Sequence, residues 1–176
     1  MYGKGWSKDA TLLDQFTLML DSMLELIMPN YSHKDQWGEI ITEWGYEMRN
    51  PSVLFQDSFE NFLSIVVSTR DSNSVEYSLP KSSIYFLKND TSNHIIWCIW
   101  IRHDLHFPHR DAYSTHVGYG IRPSERGKWY ATEMLRLGLD IMRSIGITQV
   151  LISCHADNIA SENVILTNGW MIFGES

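Results

Sequence analysis

The sequence predicts an α/β or α+β domain in which helices pack on a central sheet. Three observations support this: apolar residues at helical spacing in the first third, runs of β-branched and aromatic residues from residue 80 onward, and an amphipathic helix between two such runs. A chain of 176 residues can bury one substantial core but is short for two ordinary domains. We therefore expect one domain over residues 1–176, with a mainly helical part over 1–79 and a sheet-containing core over 80–176.

The first part of the chain shows three helix-like patterns. Apolar stripes predict helices over residues 12–27, 32–48 and 59–67. Pro29-Asn30 is expected to stop the first helix, and Asp57 or Ser58 is expected to cap the third. The polar run Thr69–Ser74 predicts a loop. These features make residues 1–79 predominantly helical.

From residue 80 the pattern indicates strands alternating with two helices. The predicted elements are strands at Ser83–Leu87, Ile95–Ile101 and Thr115–Ile121, a helix from Ala131 to Gly146, a buried strand at Val150–Cys154, a helix from Asn158 to Asn168, and a strand at Trp170–Phe173. Gly146 suits the position after a helix end, where a left-handed backbone is common.

Composition excludes several classes of protein. A net charge of −7 with a sequence pI of about 5.4 argues against a nucleic-acid partner, because phosphate binding needs clustered Lys and Arg. No apolar run approaches the roughly 20 residues of a membrane span, and no secretory signal pattern opens the chain, so we expect a cytoplasmic protein without a membrane partner. Cys98 and Cys154 lie in apolar runs and are expected to be reduced, buried thiols.

The most informative segment is the loop formed by residues 122–132, called here the 122–132 loop. A predicted strand ends before it, the loop itself is rich in Arg, Gly and Lys, and an amphipathic helix follows. The unpaired N–H groups and the dipole of a helix start favour a bound phosphate. The glycine spacings of a Walker A loop and of a dinucleotide fingerprint are absent. On these grounds alone, an ordinary solvated basic turn remains an equal alternative.

Two motifs in this region resemble those of the GNAT superfamily of N-acetyltransferases. Arg126 and Ala131 match the ends of its pattern of Arg or Gln, two residues, Gly, one residue, then Gly or Ala, and Arg122-Pro123 matches the dipeptide that often precedes it. Asp157–Ser161 and Asn168-Gly169-Trp170 resemble its second signature. The resemblance covers residues 95–176. It implies a GNAT-like central mixed, mostly antiparallel sheet flanked by helices, here with extra N-terminal helices and a short C-terminal end.

The resemblance implies that residues 80–176 form an acyl-CoA-binding core with acetyl-CoA as the acyl donor. The strand through Tyr119 and Ile121 would pair with the pantetheine arm, the N–H groups from Arg126 to Thr132 would hold the pyrophosphate, and a backbone N–H near Tyr119 or Gly120 would stabilise the oxyanion. The expected cofactor-binding residues are Tyr119, Gly120, Ile121, Arg126, Gly127, Lys128, Trp129, Tyr130, Ala131, Thr132 and Asn158.

The implied activity is transfer of an acetyl group from acetyl-CoA to a primary amine, by direct transfer in a ternary complex. The acceptor would be a small molecule or a peptide, and a homodimer is expected. Trp129 departs from the pattern because it stands where glycine lets the backbone approach the pyrophosphate. The alternative is therefore a catalytically impaired GNAT-fold binding or regulatory protein with weakened acyl-CoA binding. Ile165 replaces the tyrosine general acid of many relatives.

Two histidines are candidates for the general base that the reaction needs. His116 begins the strand that precedes the 122–132 loop, and His155 follows the strand predicted at Val150–Cys154. For each of them a structural role is the alternative. The His-rich run after Arg102 lacks the spacing of a metal site, so no metal is expected.

Overall fold

The computed structural model describes residues 23–45, 57–70, 80–105 and 115–170. Its strands are β1 (Leu24–Ile27), β2 (Ser82–Asn89), β3 (His94–Arg102) and β4 (Val117–Tyr119). Its α-helices are α1 (Lys34–Trp44), α2 (Phe59–Arg70), α3 (Tyr130–Ser144) and α4 (Ile159–Thr167), with short 3-10 turns at Tyr31–His33 and Pro123–Glu125. In the described ranges, the helices lack the length and apolar character needed to cross a membrane.

The four strands form one antiparallel sheet in the order β1-β2-β3-β4. Ile84 of β2 pairs with Trp100 of β3, and Trp100 pairs in turn with Gly118 of β4. Each strand therefore lies beside its neighbour in the chain. The predicted class, a mixed α/β fold with helices flanking a mostly antiparallel sheet, is confirmed.

A bulge in β3 lies opposite the start of the 122–132 loop. Leu87 pairs with Trp97, and the residue after Leu87 pairs with Ile95, so Ile96 has no partner in β2. Trp97 has a positive φ of 151°, as expected where an extra residue distorts a strand. The carbonyl of Ile96 accepts the N–H of Arg122 at 3.1 Å. This bond continues the contact between the chain and β3 beyond the end of β4.

Helices cover both faces of the sheet. One face packs on α1 and α2 through an aromatic-rich core, in which Phe62 stacks on Phe86 with ring centroids 5.5 Å apart. The other face packs on α3 and α4 through a mainly aliphatic core. Gly138 of α3 packs against the side chain of Ile99 in β3: a Cβ there would be 2.5 Å from Cδ1 of Ile99, so the isoleucine side chain would have to move.

Several boundaries follow the predictions closely. Ser58 caps α2, because its hydroxyl accepts the N–H of Asn61 at 3.1 Å. Asn158 caps α4 by accepting the N–H of Ser161 at 3.1 Å.

The predicted loop from Thr69 is wrong at its start, since α2 continues to Arg70; the rest of that stretch lies outside the described residues.

The helix predicted over residues 12–27 is wrong at its end. Leu24–Ile27 forms β1 and pairs antiparallel with the end of β2, while residues 12–22 lie outside the described part. Leu24 and Leu26 contact the aliphatic core, and Ile27 contacts the aromatic core, as strand alternation requires. A short apolar run is compatible with both helical and strand periodicity, and here the pairing with β2 makes the segment a strand.

The buried strand predicted at Val150–Cys154 is also wrong. This segment belongs to no strand, and Leu151 is 46% exposed. Its N–H groups do not continue a ladder: Leu151 donates to the imidazole Nδ1 of His116 at 2.9 Å instead of to a strand carbonyl. Val117–Tyr119 is correspondingly shorter than the predicted Thr115–Ile121. Trp170 is not in a strand, and residues 171–173 lie outside the described residues.

Candidate functional site

The 122–132 loop is anchored to α1 through Arg122. This side chain is buried, and its Nε donates to a carboxylate oxygen of Glu43 at 2.6 Å. The same guanidinium lies 3.2 Å from Nε2 of His94. The other carboxylate oxygen of Glu43 accepts the N–H of Ser124. One carboxylate thus fixes both the arginine and the backbone of the 3-10 turn that opens the loop.

The environment of Glu43 favours its charged form. Burial raises the pKa of Glu43, but the hydrogen bonds from Ser124 and Arg122 outweigh burial and hold the pKa below its ordinary value. Glu43 therefore remains a carboxylate at neutral pH and compensates the buried guanidinium. Sequence reasoning missed Glu43, because it lies 79 residues from Arg122 and no local pattern marks it.

The end of the loop presents a group of backbone donors without acceptors. The first bond of α3 runs from the N–H of Glu133 to the carbonyl of Trp129 at 3.2 Å. The N–H groups of residues 127–132 donate to no acceptor in the part of the chain that the structure describes. Together with the positive end of the helix dipole, they form a site suited to an anion.

Trp129 occupies the N-cap of α3 with a left-handed backbone, at φ 65° and ψ −2°. Glycine adopts this conformation freely, whereas a bulky residue loses roughly 1–2 kcal/mol. Gly127, two residues earlier, has φ 75°. The indole is 65% exposed and therefore points away from the protein. The backbone here has the conformation that glycine would give, and the large side chain projects into solvent.

Electrostatic partners modify the basic character of the loop. Lys128 Nζ lies 3.0 Å from a carboxylate oxygen of Glu125, which itself is mostly buried and lies 3.9 Å from His94. Glu125 is therefore an ion-pair partner of Lys128 within the loop rather than a solvated charge. Arg126 donates to the carbonyl of Ile121 at 3.3 Å and lies over the ring of Trp44 at 5.2 Å.

One edge of β4 is open next to this loop. Gly120 N–H donates to the carbonyl of Cys98 at 3.2 Å, and alternate residues of β4 therefore face β3. The N–H groups of Val117, Tyr119 and Ile121 point the other way and have no acceptor among the described residues. Tyr119 and Gly120 are the two residues whose N–H was expected to stabilise the oxyanion. Of these, only the N–H of Tyr119 is not hydrogen-bonded to β3.

The segment after α3 contacts β4 at one end only. The N–H of His116 donates to the carbonyl of Leu151 at 2.9 Å, and Leu151 returns a bond to the His116 imidazole. No backbone bond joins Val117–Tyr119 to residues 152–154 within the described ranges. The two stretches are therefore joined beside His116 and unpaired beyond it, which leaves the outer edge of β4 accessible to an extended ligand.

The two candidate bases have different surroundings. Nδ1 of His116 accepts the N–H of Leu151, so the proton of the neutral ring lies on Nε2. To accept a proton at Nδ1, His116 would first have to release Leu151. His155 is exposed, and its imidazole makes no hydrogen bond with a described residue, although its carbonyl accepts the N–H of Asn158 at 2.9 Å.

Tyr119 connects β4 to α4. Its hydroxyl donates to the carbonyl of Ser161 at 3.5 Å, and burial raises its pKa, with Cys154 adding to the increase. Cys154 is exposed, which corrects the expectation of a buried thiol; partial desolvation of its sulfur and the charge of Glu162 raise the pKa of the thiol. The segment that carries it is not a buried strand, so the thiol lies at the surface. Cys98, in contrast, is fully buried, as predicted.

Other sequence candidates have structural partners. Asn158 caps α4 with its side-chain oxygen, and the Asn168 amide donates to the carbonyl of Thr132 at 3.2 Å, which joins α4 to the first turn of α3.

In the His-rich run after Arg102, His103 Nε2 lies 2.9 Å from the Ser83 hydroxyl. Over the described ranges, no three His, Cys, Asp or Glu side chains form a group that could hold a metal; His106 and His109 lie outside these ranges.

Residues 56–171 match the model of the acetyltransferase (GNAT) domain. The chain belongs to the GNAT family. The match covers the sheet from β2 onward, the 122–132 loop and both helices that follow it. No significant match is found among curated proteins.

Two solved structures resemble this GNAT protein. RimL, an alpha-N-acetyltransferase of ribosomal protein L7/L12 in complex with coenzyme A, superimposes with a TM-score of 0.62 at 15% identity, covering 87% of this chain and 82% of RimL. YycN of Bacillus subtilis, described as a putative acetyltransferase, gives a TM-score of 0.49 at 16% identity, covering 87% and 95%. The first of these likenesses supports the fold, and family membership supports acetyl transfer in general.

Proposed function

We propose that this GNAT protein transfers an acetyl group from acetyl-CoA to a primary amine, directly and in a ternary complex. One observation carries the proposal: the open edge of β4, which extends to Ile121, and the unpaired N–H groups of residues 127–132 lie on the two sides of one short turn. An extended polar arm with a pyrophosphate at its end fits that sequence of donors. The exposed indole of Trp129 leaves those donors accessible.

Each part of the site has a separate task. The N–H groups of residues 127–132 bind the pyrophosphate, and Lys128 exchanges its Glu125 partner for a phosphate oxygen. The open N–H of Ile121 pairs with the pantetheine arm. Bound acetyl-CoA supplies an activated thioester, and the N–H of Tyr119 stabilises the oxyanion as the amine attacks.

The amine must lose a proton, and either His116 or His155 is proposed to accept it. His116 lies where the start of β4 is joined to the segment that follows α3, but its Nδ1 accepts a hydrogen bond from Leu151. His155 has an unengaged imidazole in the described part of the chain but lies farther along the segment. The acceptor is proposed to be a small molecule or a peptide, and RimL illustrates a protein N-terminus as one acceptor in a GNAT fold.

The alternative function is a GNAT-fold binding or regulatory protein without turnover. The observation in its favour is Trp129, a bulky residue in a left-handed backbone at the centre of the donor group. In this alternative the indole restricts the approach of the pyrophosphate, so acyl-CoA binds weakly and no acetyl group is transferred.

A transfer assay separates the two functions. Purified protein is incubated with acetyl-CoA and a panel of polyamines, amino acids and peptides with free N-termini, and release of the CoA thiol and acetylation of the amine are measured. The proposed function predicts amine-dependent thiol release. If no amine stimulates thiol release although acetyl-CoA binds, the binding-protein alternative is correct.

The same assay assigns the base. We expect either His116→Gln or His155→Gln to lower kcat by roughly 100-fold, the contribution typical of a general base. That variant should also change the pH profile of kcat, because the group that accepts the proton has been removed. The other histidine variant is the matched control and should retain this pH profile. If both variants retain it, neither histidine is the base.

A further inference from the structure

Trp129 differs from the neighbouring core tryptophans in its exposure. Trp37, Trp44, Trp97 and Trp100 are all buried in the aromatic core, whereas 65% of Trp129 is accessible to solvent. Its indole makes no ring contact, hydrogen bond or ion pair with a described residue. A large aromatic side chain with no packing role inside the chain is suited to contact something outside it.

The backbone of Trp129 has a defined conformation at the start of α3. Trp129 has φ 65° and its carbonyl accepts the first hydrogen bond of α3, from Glu133. Glycine would satisfy the same turn without strain, so the turn alone gives no reason for a tryptophan. The rigid start of a helix fixes the Cα–Cβ direction of the residue that caps it. The backbone of this turn therefore sets the point from which the indole projects into solvent.

The indole is adjacent to the proposed phosphate site. The N–H groups of residues 127–132, with no acceptor in the described part of the chain, lie on both sides of Trp129 in sequence. Lys128 precedes it directly. A nucleotide whose phosphates occupy those donors carries its base one ribose away, which is comparable to the length of a tryptophan side chain. Purine rings stack on exposed aromatic side chains with a favourable free energy.

We propose that Trp129 stacks on the adenine ring of the acyl-CoA donor and so determines the preference for the nucleotide part of that donor. This inference rests on the proposed function, because the phosphates must lie at the 122–132 loop. In this proposal, Trp129 strengthens the binding of the acyl-CoA by contacting its adenine ring. In the alternative function, the same side chain obstructs the pyrophosphate.

The test compares ligands with and without adenine. Calorimetric titrations use acetyl-CoA, adenosine 3′,5′-bisphosphate and S-acetyl-4′-phosphopantetheine, which lacks the nucleotide. The proteins are the wild type, Trp129→Phe, Trp129→Leu and Trp129→Gly. Phenylalanine keeps an aromatic face, leucine keeps a bulky side chain at the same backbone position without one, and glycine removes both bulk and strain. Trp129 is exposed, so we expect all four proteins to fold.

Stacking predicts that Trp129→Leu and Trp129→Gly weaken acetyl-CoA binding by roughly 10-fold to 100-fold, while Trp129→Phe weakens it by only about threefold. Binding of S-acetyl-4′-phosphopantetheine should change by less than about twofold in every variant. Adenosine 3′,5′-bisphosphate should quench tryptophan fluorescence in the wild type and not in Trp129→Phe.

Two results would overturn the stacking proposal while leaving the proposed function intact. In the first, Trp129→Gly binds acetyl-CoA as tightly as the wild type or more tightly, while the wild type still acetylates an amine. In the second, the wild type binds acetyl-CoA and S-acetyl-4′-phosphopantetheine with equal affinity, so that adenine contributes nothing. If the wild type binds neither acetylated ligand and Trp129→Gly restores neither, the proposed donor site itself is wrong, and the stacking proposal is wrong with it.

Discussion

Glu43→Ala is expected to lower the free energy of unfolding by about 3 kcal/mol, which corresponds to a fall in melting temperature of roughly 6–12 °C. The substitution leaves the Arg122 guanidinium buried without its carboxylate partner, and Ser124 loses the acceptor of its N–H. The expected cost lies at the lower end of the range for broken buried pairs because Glu43 is 22% exposed. Thermal and urea denaturation measure this change.

Glu43→Gln serves as the matched control and also tests the charge. It retains an acceptor for Arg122 and Ser124, so a smaller loss than in Glu43→Ala is expected. Because folding lowers the pKa of Glu43, its charge contributes stability above the ordinary value of 4.5, and this contribution is lost as the pH falls through the folded pKa. The difference between wild type and Glu43→Gln should therefore shrink as the pH falls below 4.5. If the stability difference between wild type and Glu43→Gln instead grows as the pH falls, the ion pair between Glu43 and Arg122 does not stabilise the fold.

Phe62→Ala is expected to lower the free energy of unfolding by about 4 kcal/mol, the middle of the range for removing a buried phenylalanine. Phe62 is fully buried in α2, where it stacks on Phe86 at 5.5 Å and on Phe59 at 5.7 Å. The loss combines a cavity with the removal of these ring contacts. Chemical denaturation followed by far-ultraviolet circular dichroism and by tryptophan fluorescence measures it.

Val67→Ala on the same helix is the control, because Val67 is 69% exposed, and its change should stay within about 0.5 kcal/mol. The two spectroscopic probes should report one coincident transition if residues 1–176 form the single domain proposed from the sequence. A Phe62→Ala transition that separates into two steps, with only one shifted, would show that α2 and the later core unfold independently.

The sequence predicted the elements whose signals are local. Ile95–Ile101 is rich in β-branched residues and lies in β3, and Asn158 is a capping residue that starts α4. The 122–132 loop is recognisable from Arg126 and Ala131, because a family motif records backbone requirements in residue types. Trp129 could be identified as a departure, but only the structure shows that its left-handed backbone turns the indole outward.

Elements that depend on distant partners could not be predicted. Leu24–Ile27 is a strand because the end of β2 supplies its hydrogen bonds, a contact between segments about 60 residues apart. Val150–Cys154 has the composition of a buried strand, but the imidazole of His116 takes the hydrogen bond that a strand carbonyl would accept. Glu43 carries no local signal at all, although it fixes the loop through Arg122. Pairing partners are decided by tertiary geometry, which periodicity does not contain.

The proposed function requires an acyl-CoA donor bound between the open edge of β4 and the 122–132 loop. Thermal denaturation of the wild-type protein with acetyl-CoA tests this most directly. At 100 times the dissociation constant, binding to the native state adds about 2.7 kcal/mol, which predicts a rise in melting temperature of roughly 5–11 °C. AMP at the same concentration, which lacks the pantetheine arm, should give a much smaller rise. A melting temperature unchanged at millimolar acetyl-CoA, both in the wild type and in Trp129→Gly, would contradict the proposed site.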